Sequence, residues 1–279
     1  MKNERNYLGS DDIKKIELEI LLCVQQICFA HSLRLYLCGG TLLGAVRHQG
    51  FIPWDDDIDV CLPRPDYERL INIIHTKDVL PAYYEMLCFE DGTFSHPAMK
   101  IIDKRTYIEY DFFDERPDKG LWIDILPVDG LPDTQRKIEK LYKKTSIYRE
   151  LLSLSLAKPG TGKTKIKGVL KLFLVPLARI PGTKTYAKQL RKLALENKYL
   201  SSKNVGIVTW GLYGAHEAML KNEFEVPIDV IFEGKVFKAA SCAEKYLKNL
   251  YGDYMKLPPV EKRKTHDMRV RMLDGKEDV

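Results

Sequence analysis

The amino-acid sequence predicts a mixed α/β fold. Three observations lead to this prediction. Short strand-like and helix-like runs alternate over residues 33–75, and β-rich runs separated by turn residues follow over residues 84–110, which suggests hairpins added to one sheet. A lysine-rich run over residues 135–156 has helical periodicity. A chain of 279 residues, 45% of them hydrophobic, is long enough for one large domain or two small ones.

The individual elements are predicted from the spacing of apolar residues and from turn residues. Helices are expected where apolar residues recur every three or four positions, and strands where short runs are rich in β-branched and aromatic residues. The helices are predicted at about 13–31, 42–47, 66–75, 135–156 and 242–251, and the strands at 33–38, 57–60, 84–89, 98–103, 106–110, 121–130 and 204–210, with a hairpin at 228–239.

A glycine turn stands between the first predicted strand and the helix that follows it. Glycines let the backbone approach a ligand closely, and N–H groups at the start of a helix attract anions. We therefore interpret Gly39, Gly40 and Thr41 as a phosphate-binding turn. Arg47 could neutralise a diphosphate, and His48 could donate to a phosphate oxygen or orient an aspartate, unless both merely end a surface helix.

Four acids, Asp55, Asp56, Asp57 and Asp59, occupy five positions. If residues 57–60 form a strand, the carboxylates of Asp57 and Asp59 point the same way while the apolar residues enter the core. Two carboxylates on one face predict a site for Mg²⁺ or Mn²⁺. A solvated acidic turn is the alternative. Trp54 would stack on a base, line a pocket for a quaternary ammonium group, or belong to the core.

The run over residues 121–130 contains one acid, Asp124, among large apolar residues. Such an acid is costly to bury unless it is paired or meets a cation, so Asp124 is the candidate for a third carboxylate of the site. A structural acid that caps a turn is the alternative. Asp129 precedes a glycine and is interpreted as a turn residue.

Net charge, cysteine usage and the N-terminus set wider bounds. A net charge of +5 favours anionic partners in general without selecting nucleic acid, and we predict no nucleic-acid partner. The six cysteines show no zinc or disulfide spacing and are expected to be buried, reduced thiols. The first residues lack the apolar run of a secretory signal, which predicts a cytoplasmic protein.

The stretch Thr161–Lys192 contains nine Lys or Arg residues and no Asp or Glu. Its apolar run at 169–180 is too short and too interrupted to cross a bilayer. An amphipathic helix could lie on an anionic membrane surface, with Leu170, Phe173 and Leu174 inserted. The alternative is a basic, solvated face over an ordinary core helix.

The octapeptide at residues 157–164, A-K-P-G-T-G-K-T, has the spacing of a relaxed P-loop and would make the protein an ATP-binding phosphotransferase through Lys163. We set this alternative aside for two reasons. Ala157 replaces the usual first glycine, and no later predicted strand ends in a magnesium-binding acid. The segment is interpreted as a connector.

Several motifs together resemble the LicD family, which is related to fukutin and has the nucleotidyltransferase superfold. The resemblance covers roughly residues 11–269 and is weakest in the middle third. It is carried by C-G-G-T-L-L-G-A-V-R-H at 38–48, G-F-I-P-W-D-D-D-I-D at 50–59, W-I-D-I at 122–125 with Pro127 and Asp129, and Y-G-D-Y-M at 251–255 followed by Pro258, Pro259 and His266.

The resemblance implies three regions and a common active site. Residues 1–132 would form a nucleotidyltransferase-like catalytic core, residues 133–200 a basic helical region that binds the acceptor or a membrane surface, and residues 201–279 a C-terminal part that completes the site. Asp57, Asp59 and Asp124 would be catalytic and hold the metal ion. Arg263 and His266 would contact the donor phosphates or the acceptor.

The resemblance also implies an activity, the transfer of phosphocholine from CDP-choline to a hydroxyl of a cell-surface glycan or lipid-linked teichoic acid precursor. The enzyme would work in the cytoplasm, at the inner face of the cell membrane if the basic helix contacts lipid. Two alternatives stay open at this point. One is the same fold acting on CDP-ethanolamine, CDP-glycerol or CDP-ribitol, and the other is a non-catalytic module that binds glycan or nucleotide.

Overall fold

The structure is a computed structural model that describes residues 7–109, 119–160, 165–263, 265 and 268–273. Helices and strands follow one another along these ranges, as the mixed α/β prediction requires. The helices are α1 (Ser10–Ala30), α2 (Gly39–His48), α3 (Arg64–Thr76), α4 (Gln135–Leu156), α5 (Lys165–Arg179), α6 (Thr183–Ala194), α7 (Lys221–Phe224) and α8 (Ala243–Tyr251). The strands are β1 (Tyr36–Leu37), β2 (Asp59–Pro63), β3 (Tyr84–Cys88), β4 (Met99–Asp103), β5 (Thr106–Glu109), β6 (Leu121–Leu131), β7 (Asn204–Gly206), β8 (Met219–Leu220), β9 (Pro227–Phe232), β10 (Lys235–Ala240) and β11 (Arg269–Met272).

A seven-stranded mixed sheet forms the centre of the fold, with the strand order β1-β2-β6-β4-β3 and with β7 and β8 added beside β6. Strand β6 is 11 residues long and buried along its whole length. It pairs parallel with β2 and antiparallel with β4 and β7. Because β6 pairs with three strands, its register with β2 and β4 sets which residues of these two strands lie next to one another.

The apolar face of α1 packs near β4 and β6 and supplies much of the core. Ile20, Leu21 and Val24 are fully buried there. A helix that buries one stripe and leaves the opposite side to solvent follows from the 3.6-residue period of its apolar residues. The predicted helix is therefore confirmed. All six cysteines are free thiols and five of them are buried as predicted, whereas Cys23 is only partly buried.

Three predicted boundaries are wrong near the glycine turn and the acidic run. The first strand covers only Tyr36–Leu37, the glycines belong to the first turn of α2, and β2 begins at Asp59, so that Asp57 precedes the strand. Gly39 has φ +53°, a conformation that glycine adopts without strain and that turns the chain from strand to helix. The ladder between β2 and β6 starts at the pair Asp59 and Asp124.

Three further predictions are wrong: the partner of one strand, the end of another, and the position of Asp129. Strand β5 does not join the central sheet but forms a two-stranded sheet with β11. The strand predicted at 204–210 ends at Gly206. Asp129 is not a turn residue, because it lies inside β6, is 1% exposed, and accepts from the Arg64 guanidinium at 2.6 and 3.1 Å. The predicted hairpin is confirmed as β9 and β10.

Helices α4, α5 and α6 occupy the middle of the chain. Leu152, Tyr186 and Leu190 are buried in a small cluster between α4 and α6. Helix α5 turns Val175 and Ala178 inward and leaves larger apolar side chains exposed. Among the residues that the structure describes, no helix combines the length and apolarity needed to cross a bilayer.

Candidate active site

The first turn of α2 lies directly against two carboxylates. A Cβ atom added to Gly39 would lie 3.0 Å from Asp59 Oδ2, and one added to Gly40 would lie 2.7 Å from Asp55 Oδ2. A larger residue at either position would require the carboxylate to shift. The N–H groups of a first helical turn carry partial positive charge, so this close packing also stabilises the acids.

Asp59 is held by contacts with α2 and β6. Its backbone N–H donates to Thr41 Oγ1 at 2.8 Å, and its backbone pairs with that of Asp124 on β6. Burial raises the pKa of Asp59 well above its ordinary value, and the neighbouring Asp57, Asp124 and Asp55 charges raise it further. The site therefore carries excess negative charge that a cation would relieve.

Asp124 is held by groups on two strands. The indole N–H of Trp122 donates to Asp124 Oδ2 at 2.8 Å, and Lys100 Nζ lies 3.6 Å from Asp124 Oδ1. Lys100 is opposite Asp124 in the antiparallel ladder and is 5% exposed, with its ammonium 3.7 Å from the centre of the Trp122 ring. The sequence analysis missed Lys100, although a lysine within an apolar strand was a visible signal.

One cavity of about 290 Å³ opens beside these acids. Asp55, Asp57 and Asp59 line it together with Gly39 and Gly40. Another part of its wall comes from segments far along the chain and includes Trp210, Tyr213, Glu217, Tyr246 and Tyr251. The cavity thus joins the predicted phosphate turn and acidic run to residues that the sequence did not connect with them.

The residues present fit a hard divalent cation. The cavity offers carboxylate oxygens, which Mg²⁺ and Mn²⁺ prefer, and the glycine turn leaves room beside them. Asp57 and Asp59 would hold the ion, with Asp124 adjacent to Asp59 in the sheet. His75, Cys88 and Asp91 also have donor atoms within 4.8 Å of one another. Burial raises the pKa of Cys88 to about 12, so that its thiol is a poor metal ligand.

Four other predicted residues form a second cluster. Arg47 donates to the Tyr254 carbonyl at 2.6 Å and to His48 Nε2 at 3.0 Å. The Arg263 guanidinium lies 4.5 Å from the centre of the Trp54 ring, whose edge meets His48. Burial lowers the pKa of Arg47, and the positive charge of Arg263 lowers it further. Two arginines that repel each other would gain from binding an anion between them.

The structure thus brings Gly39, Gly40, Thr41, Asp57, Asp59 and Asp124 into one place and Arg47, His48, Trp54 and Arg263 into another. None of the second group lines the cavity. Thr41 is 4% exposed and supports Asp59 from behind. His266 and Lys163 lie outside the described residues.

A buried acid beneath the site was also missed. Glu17 on α1 is 1% exposed, and burial raises its pKa well above the ordinary value, with the charges of Asp57, Asp56 and Asp55 adding to the effect. Its neutral form is therefore favoured next to the acidic turn. Glu17 occupies a core position of the helical stripe, which was the available signal.

One known protein resembles this chain over most of its length, and a family model and a second protein resemble part of it. The family model described as LicD/FKTN/FKRP, nucleotidyltransferase domain, matches residues 32–150. The lipopolysaccharide cholinephosphotransferase LicD of Haemophilus influenzae is 32% identical over 257 residues, which is 90% of this chain and 93% of the relative. An uncharacterised protein of Rickettsia prowazekii is 29% identical over 135 residues, 45% of this chain and 47% of the relative.

The matched regions include every element of the acidic cavity that the sequence analysis singled out. The family model spans α2, β2, β4 and β6, which carry the glycine turn, Asp57, Asp59, Lys100 and Asp124. The relative from Haemophilus influenzae extends the similarity to 90% of the chain. The chain is a phosphotransferase and belongs to the LicD family.

Proposed function

We propose that the protein transfers phosphocholine from CDP-choline to a hydroxyl group of a cell-surface glycan. The observation that carries this proposal is the similarity over 90% of the chain to a protein named lipopolysaccharide cholinephosphotransferase. By this similarity the first acceptor to test is a lipopolysaccharide, and a teichoic acid precursor is the second. The cavity supports the proposal, because it sets acids and a helix N-terminus beside a large aromatic wall.

The chain offers a group for each charge of the donor. Mg²⁺ or Mn²⁺ held by Asp57 and Asp59 would supply the positive charge that neutralises the donor diphosphate. The N–H groups at the start of α2 and the guanidinium groups of Arg47 and Arg263 would stabilise the same phosphates. Lys100 balances the charge of the site from below through its contact with Asp124.

In the proposed reaction the acceptor hydroxyl oxygen attacks the phosphorus of the phosphocholine group. The bond from this phosphorus to the CMP oxygen breaks, and CMP leaves with the electron pair. The hydroxyl proton passes to a carboxylate of the cavity. Asp124 is less suited to this step, because its two carboxylate oxygens already contact the Lys100 ammonium and the Trp122 indole N–H. We therefore assign Asp124 to cation binding and to the support of Asp59.

The test is a transfer assay with radiolabelled CDP-choline, lipopolysaccharide and Mg²⁺. Asp59→Asn removes one charge from the cavity and is expected to lower kcat by about 10²-fold or more. Asp56→Asn is the matched control, since Asp56 makes the same charge change without lining the cavity, and it should retain most of the activity. Full activity of the Asp59 variant would overturn the proposed site.

The alternative donors are compared in the same assay. CDP-ethanolamine, CDP-glycerol and CDP-ribitol are offered singly and as competitors of CDP-choline, and the proposal expects CDP-choline to have the highest kcat/KM. If only CDP-ribitol or CDP-glycerol were turned over, the transferred group would be ribitol phosphate or glycerol phosphate instead of phosphocholine, and the proposed fold and site would stand. Binding of ATP that is lost in Lys163→Ala, without turnover of any CDP-alcohol, would restore the P-loop alternative.

We also propose that the segment around α5 rests on an anionic membrane surface while the acceptor is modified. Leu170, Phe173 and Leu177 on α5 are 56, 70 and 60% exposed, and Ile180, directly after the helix, is 78% exposed. Exposed apolar side chains of this size mark an interaction surface when they adjoin one another. Residues 161–192 contain no acid and nine basic residues, so the surface complements anionic lipid.

Vesicle co-sedimentation tests this proposal at about 0.15 M salt. The wild-type protein should bind anionic vesicles and leave zwitterionic vesicles unbound, and Phe173→Asp should weaken the binding. Leu200→Asp is the control, because Leu200 is 77% exposed outside α5. No binding of the wild-type protein to anionic vesicles would reject membrane contact and favour a solvated basic face.

A further inference from the structure

The distal wall of the active-site cavity combines aromatic side chains with one acid. Trp210, Tyr213, Tyr246 and Tyr251 line it, and Glu217 lies among them. These residues come from the segment between β7 and β8 and from α8. The proposed binding of phosphate and of a cation gives these residues no role, so we looked for a separate function for them.

The rings are held in place by contacts with one another and with the core. Tyr213 and Tyr251 meet edge to face with ring centres 5.1 Å apart. Tyr246 is 4% exposed and donates its hydroxyl hydrogen to Glu217 Oε2 at 3.0 Å. Trp210 meets the ring of His96 at 5.2 Å. The wall is therefore a preorganised surface rather than a set of free side chains.

Glu217 is an acid that the fold keeps inside this wall. It is 4% exposed, and its Oε1 accepts from the Tyr213 backbone N–H at 3.4 Å. Burial raises the pKa of Glu217 to about 7. Both hydrogen-bond donors are neutral groups, and among the effects that lower this pKa the positive charge of Arg149 is the smallest. A bound cation would therefore stabilise the carboxylate.

We propose that Glu217 and the rings of Trp210, Tyr213, Tyr246 and Tyr251 bind a quaternary ammonium group. This inference rests on the proposed function and deepens it, because it assigns the end of the donor alcohol that distinguishes choline from the alternatives. A trimethylammonium group donates no hydrogen bonds and is attracted by aromatic faces and a carboxylate. Glycerol and ribitol are neutral polyols, which would leave the acid without a countercharge.

The position of the wall suits the donor. Two carbon atoms separate the phosphate oxygen of phosphocholine from its nitrogen, so a site for the ammonium group must adjoin the site for the phosphate. The acids and the aromatic wall line the same cavity of about 290 Å³. Trp54, the aromatic residue predicted from the sequence, is less suitable, because Arg263 already covers its ring at 4.5 Å.

Two Tyr213 variants separate the effect of the ring from the effect of its hydroxyl group. Tyr213 is 41% exposed, so that its replacement leaves most of the core intact. Tyr213→Leu should lower kcat/KM for CDP-choline by about 30-fold, whereas Tyr213→Phe should remain close to wild type. Glu217→Gln should lower the ratio of kcat/KM for CDP-choline to kcat/KM for CDP-glycerol by a similar factor.

The ratio between donors distinguishes this inference from a purely structural role. A residue that only supports the fold would lower kcat/KM for all donors equally, and that result, or an unchanged ratio, would overturn the inference while leaving the proposed function intact. If the wild-type protein turned over no CDP-alcohol, the proposed function would fail. In that case the ammonium site is tested by the binding of tetramethylammonium, measured by tryptophan fluorescence. Binding by the wild type that is lost in Tyr213→Leu supports the ammonium site, and no binding by the wild type rejects it.

Discussion

The raised pKa of Glu217 gives a quantitative prediction for stability against pH. The folded-state pKa of about 7 lies above the ordinary value of 4.5, because ionisation inside the aromatic wall costs free energy. The folded state therefore holds its proton more tightly than the unfolded state does. As the pH rises from about 4.5 to about 7, the wild-type protein loses stability, and above pH 7 the loss is constant.

The magnitude follows from the two pKa values. At 1.36 kcal/mol for each pH unit, the full loss is about 3 kcal/mol, of which about 2.5 kcal/mol falls between pH 5 and pH 8. Glu217→Gln keeps the size of the protonated side chain and removes the titration. Relative to the wild type, this variant should gain about 2.5 kcal/mol in free energy of unfolding between pH 5 and pH 8.

Urea unfolding of both proteins at the two pH values measures this difference, and all other titrations cancel between them. The charged or titratable groups that face Glu217 are Cys38, Tyr142, Arg149, Tyr213, Tyr246 and Tyr251. None of them changes protonation between pH 5 and pH 8, because burial raises the pKa values of the tyrosines and the cysteine, and the arginine stays positive. A relative gain below about 1 kcal/mol would refute a buried, uncompensated Glu217.

Further predictions concern the acids, the phosphates and the core. Gly40→Ala places a Cβ 2.7 Å from Asp55 Oδ2, so we expect kcat to fall about 10²-fold with little change in the unfolding midpoint; normal kcat would show that this close packing is dispensable. Asp129→Asn leaves the buried Arg64 charge uncompensated and should cost about 3 kcal/mol or more in urea unfolding, and a wild-type midpoint would contradict this. Arg263→Gln should raise KM for CDP-choline and reduce its dependence on salt, whereas an unchanged KM would remove Arg263 from the donor site. EDTA should abolish transfer and Mg²⁺ should restore it, and activity that persists in EDTA would argue against a metal ion.

Local patterns in the sequence predicted the half of the site that is continuous along the chain. The glycine turn and the acidic run are close in sequence, and a helix start beside a strand start has few possible geometries. Asp124 lies far from the other acids in the sequence, and it was still predicted as a site residue because a lone acid in an apolar strand needs a partner. The predicted neighbourhood of Asp59 and Asp124 is confirmed by their register in the sheet.

Where local patterns failed, long-range packing overrode them. An Asp-Gly pair is typical of a turn, but Asp129 lies within a strand because its buried partner Arg64, 65 residues away, satisfies its charge. Strand β5 has the composition of a sheet strand, yet it pairs with β11 rather than with its neighbours in the chain. Neither partner is visible in the local sequence.

The sequence by itself determined the mixed α/β class and singled out the glycines and acids that the structure brings together, because each depends on neighbouring residues or on the cost of burying one charge. Only the tertiary structure decided which residues complete the cavity. Lys100 reaches Asp124 through strand register, and Glu217 reaches Tyr246 through the packing of α8. Such contacts depend on how elements fold against each other, and no spacing along the chain encodes them.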